Sequence, residues 1–203
     1  MGNISLVRVG GVCAILAVVS GTMARIAFGN EWLQSRGVDT LIPGHWFDTL
    51  GGLLFMVAAL GFYRVLRQAG PLPLIAVVAT LTGGIFLFFH GFINLGIAYE
   101  LVPGTDALSQ TDRLATYVGA VLVFFIGVPL FSFAILRTSV VPKWIGWLGV
   151  IAALGFYLQA LLPLVFSMAT PWFLSRVFLV WLVAMGVVLL RLKEPVAPDG
   201  AKS

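Results

Sequence analysis

Leu74 to Ala98 reads LIAVVATLTGGIFLFFHGFINLGIA, twenty-five residues without one Asp, Glu, Lys or Arg. At 1.5 Å per residue a helix of that length runs about 37 Å, more than the roughly 30 Å hydrocarbon core of a bilayer. Inside lipid no water satisfies the backbone, so a spanning segment is a helix or a strand of a closed barrel. A barrel strand would be short and would alternate apolar with polar residues, which this run does not do. The segment therefore predicts a transmembrane helix.

Five further stretches qualify on the same criterion: Val9 to Phe28, Trp46 to Val65, Leu114 to Ile135, Trp144 to Met168 and Trp172 to Leu190. Arg25 interrupts the region where a signal peptide would be cut, so the first stretch is expected to be a retained helix. The expected fold is all-α, a polytopic integral membrane six-helix bundle. It forms a single transmembrane domain over residues 1–193. A tail over 194–203, with Pro195, Pro198 and mixed charge, is expected to be disordered and cytoplasmic. The 203-residue composition agrees: 60% hydrophobic, 10% charged, mean hydropathy +1.05. Charged residues make up about 25% of ordinary globular domains, so a water-soluble enzyme is excluded. The net charge of +4 comes from single basic residues beside apolar runs, with no patch suited to nucleic acid. Cys13 is the sole cysteine, which rules out an internal disulfide.

Charges sort by side. The even-numbered turns and both chain ends hold Arg8, Arg64, Arg67, Arg137, Lys143, Arg191, Lys193 and Lys202, against Glu194 and Asp199. The opposite side holds Glu31, Asp39, Asp48, Glu100, Asp106 and Asp112, against Arg25, Arg36, Arg113 and Arg176. Under the positive-inside rule both termini are cytoplasmic, in a bacterial inner membrane. Trp32, Trp46, Trp144, Trp147 and Trp172 fall near span ends, where an amphipathic ring prefers the headgroup layer. Trp181 lies deep in the last span and is expected to face lipid or pack. The loops from Gly29 to His45 and from Tyr99 to Arg113 are long enough for structure of their own. In the second, Ser109 with Asp112 reads as a capping box starting helix four, with Thr111 a rival cap. Gly127-Val128-Pro129 and Pro163 are expected to bend helices four and five.

Helices in lipid pack through small residues that allow close backbone approach. On helix three Ala76 and Gly83 share a face with His90 and Asn94; on helix one Gly10, Ala14 and Gly21 share a face with Arg25; on helix five Ala152 and Gly155 share a face with Gln159. Arg176, two turns into helix six, would cost on the order of 2.5–3.5 kcal/mol at mid-membrane and so calls for a partner or water. These residues lie in the outer half or at its mouth, whereas the inner half is almost purely apolar. Arg25, His90, Asn94, Gln159 and Arg176 are therefore candidate ligand-binding residues, with His45, Asp48 and Glu100 at the cavity mouth. The bland account of the same residues is a structural network of snorkelling and paired side chains. His90, eight residues from the end of helix three, is expected about 12 Å below His45, too far to share a haem. Asp48 is expected in the first turn of helix two, where it would suit the helix dipole. No nucleophile elbow, HExxH or phosphate-cradling loop is present, so neither a metal nor a cofactor is assigned.

The stretches Leu60-Gly61-Phe62-Tyr63-Arg64-Val65-Leu66-Arg67 and Val141-Pro142-Lys143-Trp144-Ile145-Gly146-Trp147-Leu148-Gly149, with span count and loop lengths over Val9 to Leu190, resemble a group of small bacterial six-helix membrane proteins classed as a domain of unknown function. The resemblance implies the six-helix fold and carries no activity. The expected function is non-enzymatic: binding of a lipid or small amphipathic ligand in an outward-facing polar cavity, or service as an accessory subunit beside a membrane-protein partner or a second copy. The alternative is a membrane enzyme using an outer-face His/Asp site, with or without a metal.

Overall fold

A computed structural model describes residues 5–29, 35, 41–101, 105–166 and 174–192, with backbone alone at 28, 159–166, 174 and 175. Six long helices run through these residues: α1 (Leu6–Phe28), α2 (Leu41–Leu66), α3 (Leu72–Ala98), α4 (Asp106–Arg137), α5 (Lys143–Phe166) and α6 (Leu174–Arg191). The first four are long and apolar enough to cross a membrane. The chain is a multi-pass membrane protein. The start of α1 and the end of α6 lie at one end of the bundle, here the proximal end, and the end of α3 and start of α4 lie at the distal end.

Each helix packs on the next, and α1 packs on α6, which closes a ring; α2 also reaches across to α4 and α6. The tightest approaches occur where glycines face each other. A Cβ on Gly10 of α1 would stand 2.7 Å from the Cα of Gly61 on α2, and one on Gly83 of α3 would stand 2.8 Å from the carbonyl oxygen of Gly119 on α4. On the other face of α1, a Cβ on Gly11 would meet the Gly186 carbonyl of α6 at 2.8 Å. Such contacts replace the hydrophobic driving force that lipid removes.

The interior towards the proximal end is filled by rings. Phe62 packs edge-on against Phe131 and Trp181 with centroids 5.6 and 5.7 Å apart, and Phe178 stacks on Trp181 at 5.8 Å. Trp181 is fully buried, so its place in the last span is a packing one. Trp46, Trp144 and Trp147 are exposed, as span-end rings should be; Trp32 and Trp172 lie outside the described residues.

Several boundaries differ from the sequence reading. Helix α2 begins at Leu41, so Asp48 is its eighth residue and not a first-turn carboxylate. Helix α4 begins one turn before the expected capping box. Thr105 is the N-cap, its hydroxyl accepting from the Leu108 amide at 3.3 Å, and Asp106 supplies the first-turn acid. Ser109 and Thr111 are already helical and donate back to the Asp106 and Ala107 carbonyls at 2.9 Å each. The connection between α3 and α4 therefore shrinks to a few residues. It opens with a tight helix stop in which Leu101 N–H reaches the Gly96 carbonyl at 2.9 Å and Glu100 takes φ 56°, a left-handed value usual for glycine. The tail over 194–203 lies outside the described residues, as does most of the α1–α2 connection.

Helix α4 is not uniform. Its middle, Val121–Gly127, widens into a π-helical segment that ends two residues before Pro129. Proline has no N–H to give the carbonyl four residues back, which is that of Phe125. Tyr157 of α5 donates its hydroxyl to that carbonyl at 2.8 Å. The expected distortion at Gly127-Val128-Pro129 is thus a π turn answered by a side chain from the next helix.

Two stability predictions follow from these contacts, both readable as unfolding midpoints in mild detergent. Tyr157→Phe should cost about 1 kcal/mol, and the cost should shrink in a Pro129→Ala background, where residue 129 regains its own N–H. Thr105→Ala should cost about 1 kcal/mol as a lost cap, whereas Ser109→Ala should change little.

Candidate functional site

The glycine contact between α3 and α4 fixes how these helices meet further towards the distal end. Gly83 faces Gly119, so two helical turns on, His90 faces Asp112 and Thr116. His90 Nδ1 lies 2.7 Å from Asp112 Oδ1, with a quarter of the His90 side chain and less of the Asp112 side chain accessible. Asn94, one turn along α3, donates to the His90 carbonyl at 2.8 Å and to Asp112 Oδ1 at 3.1 Å. Thr116 donates to the Asp112 carbonyl at 2.9 Å, and its oxygen also lies 2.9 Å from His90 Nδ1. The small-residue stripe on α3 thus runs into His90 and Asn94 as the sequence suggests, and both turn towards α4.

Asp112 is the site residue that the sequence reading misplaced. The Ser109 capping box makes it a helix-start carboxylate. With Thr105 as the cap, it lies inside α4 and free of that role. The signal was available on α4 itself, because Asp112, Thr116 and Gly119 recur at helical spacing on one face just as the α3 stripe does.

Helix α2 adds His45. A Cβ on Gly91 would overlap the Thr49 hydroxyl, and one on Gly84 would overlap the Met56 side chain, which sets α2 antiparallel to α3 in a definite register. In that register His45 is level with Leu95, five residues or about 7 Å along the axis from His90. The 12 Å expectation is corrected, since it took α2 to begin later than it does. His45 lies within electrostatic reach of His90, Asp112 and Asp48. Thr49 donates to the His45 carbonyl at 2.7 Å, and Trp46 Nε1 donates to Tyr99 Oη at 3.2 Å, tying α2 to the end of α3.

Arg25, Asp48, Glu100 and Arg176 are exposed. The Gln159 side chain lies outside the described residues. Among the described residues no three His, Cys, Asp or Glu side chains gather as a metal site.

Fold and cluster together define a class: a multi-pass helical membrane protein with an aromatic-filled interior and a His–Asp–Asn–Thr network between two helices at one end. Residues 6–191 match the model of a family described as a domain of unknown function (DUF4386), and the chain belongs to that family. No curated protein and no solved structure matches it.

The network makes a direct prediction. Asp112→Ala removes the acceptor that serves both His90 Nδ1–H and Asn94 N–H, at a cost of about 1–3 kcal/mol. Arg113→Ala, at the exposed neighbouring position of α4, should shift the unfolding midpoint far less in the same detergent series.

Proposed function

We propose that the distal end of the bundle binds a lipid or small amphipathic ligand, head group at the His90 cluster and tail in the bilayer. The observation that carries this reading is the convergence of His90, Asn94, Asp112 and Thr116 between α3 and α4. His90 stands eighteen residues beyond the start of α3, about 27 Å along it, near the far boundary of a 30 Å hydrocarbon core. A polar network at that depth meets head groups on one side and acyl chains on the other. The surplus of Lys and Arg at the proximal end supports cytoplasmic termini in the bacterial inner membrane, so the cluster opens towards the outer compartment. Arg25 and Arg176 at the same end extend the polar surface that a head group would meet.

Native mass spectrometry after gentle extraction tests this. Wild-type protein is expected to carry a small molecule that His90→Leu loses and Arg8→Ala, at the proximal end, retains. Absence of any bound molecule, or equal retention by His90→Leu, overturns the reading. A carboxy-terminal reporter that is active only outside the cytoplasm overturns the orientation.

The 2.7 Å His90–Asp112 pair favours a second reading as well, an enzyme with His90 as general base and Asp112 holding its ring. The pair supplies His90 as the histidine of the outer-face His/Asp site that the sequence offers as the alternative. Under this reading His90→Gln retains the bound molecule while losing the ability to convert it.

A further inference from the structure

Two cations stand at one helix seam of the proximal end. Arg137 closes α4 and Lys143 opens α5, and both side chains are exposed. The acids among the described residues, Asp48, Glu100, Asp106 and Asp112, all lie in the distal half, so neither cation has a carboxylate partner there.

The seam between α4 and α5 has a definite rotation. A Cβ on Gly146 would meet the Leu136 side chain at 2.8 Å and the Ser132 carbonyl at 3.1 Å, so Leu136 and Gly146 face each other. Successive helical residues turn by about 100°, and in an antiparallel pair the residues that follow two facing positions emerge on the same side. Arg137 and Trp147 are those residues. Phe133 and Lys143, each four positions earlier, lie beneath and above them on that side. The opposite side of the seam is the interior, because a Cβ on Gly149 would overlap the Ser132 hydroxyl and stand 2.6 Å from Nε1 of the buried Trp181. The side holding Arg137 and Trp147 therefore faces lipid, and Phe133, Arg137, Lys143 and Trp147 are all exposed. Ile151 and Leu154, also exposed, carry the apolar strip about 10 Å deeper than Trp147.

This combination has the form of a phospholipid. A phosphate accepts from a guanidinium and an ammonium together. The exposed indole of Trp147 suits the headgroup layer, and the strip below it suits an acyl chain. A zwitterionic lipid would bring a cation of its own to a place that already holds two, whereas a lipid of net negative charge would not.

We propose that the lipid-facing side of the α4–α5 seam holds one anionic phospholipid, its phosphate between Arg137 and Lys143 and one acyl chain along Trp147, Ile151 and Leu154. The site lies at the opposite end of the bundle from the His90 cluster and stands or falls separately from it.

Native mass spectrometry of the full chain in detergent, titrated with dioleoylphosphatidylglycerol or dioleoylphosphatidylcholine, tests the assignment. The wild type is expected to bind its first phosphatidylglycerol about tenfold more tightly than its first phosphatidylcholine. Arg137→Gln combined with Lys143→Gln should erase most of that preference. Arg8→Gln combined with Arg191→Gln removes the same charge from the α1–α6 seam at this end and should keep it. Equal affinity of the wild type for the two lipids overturns the proposal, as does retention of the preference without Arg137 and Lys143. Equal losses in the two double variants identify a general attraction of a basic end for anionic lipid and overturn the seam. A wild-type dimer that Trp147→Ala splits identifies a second copy as the occupant and overturns the lipid. Should the Arg137 and Lys143 double variant not fold, the single variants each show part of the loss.

Discussion

Lipid gives two apolar helices no reason to meet, since acyl chains solvate a leucine as well as another leucine does. Their association must come from contacts that lipid cannot imitate, and here these are backbone surfaces brought together at glycines. Gly10 against Gly61 and Gly11 against Gly186 hold α1 between α2 and α6, which closes the ring. Gly83 against Gly119 does the same for α3 and α4. The last contact has a chemical consequence. The short side chains of Asp112 and Thr116 reach His90 only because the two backbones are already close. Packing in the apolar part of the span therefore sets the geometry of the polar part.

Helix α4 shows how one element serves both regimes. Its distal segment, Asp106–Ala120, is polar enough to carry Asp106, Asp112, Arg113 and four hydroxyl or amide side chains before Tyr117. Its proximal segment, Val128–Arg137, is core-forming, with Val128, Phe131, Ala134 and Ile135 fully buried. Between them the π turn changes the direction in which side chains emerge, since five residues rather than four separate bonded groups. The disruption leaves a carbonyl to be satisfied in lipid, and Tyr157 supplies the donor from α5. A buried Thr80 hydroxyl, packed against Gly127 where the π turn ends, has no hydrogen-bond partner among the described residues.

Much of this architecture was legible in the chain. Span positions follow from apolar length, and helix faces from the spacing of small residues, because both depend on local composition. The face rule placed His90 and Asn94 correctly for the same reason. Helix ends were less legible. Thr105, Ser109 and Thr111 all have cap-forming side chains, and which one caps depends on where the chain leaves α3, a feature set by the left-handed turn at Glu100. That ambiguity hides Asp112, because a carboxylate at a helix start has its partner in the cap. The His45–His90 separation depends on the same kind of boundary, the start of α2. Inter-helix register depends on pairings such as Thr49 with Gly91, which link residues far apart in sequence and leave no periodic trace.

A charged carboxylate near a bilayer boundary has a cost that depends on depth, on the order of 2.5–3.5 kcal/mol at the centre and less towards the surface. Asp112 is held where that cost is already falling, and two donors on neighbouring side chains, from His90 and Asn94, offset part of what remains. A purely structural clasp between α3 and α4 would need no ionisable group there, since an asparagine facing a serine would join the helices without burying charge. The arrangement instead keeps the His90–Asp112 pair partly accessible, while the rings of Phe62, Phe131, Phe178 and Trp181 fill the interior towards the other end. An open polar end above a filled apolar interior favours binding at one surface over passage through the bundle.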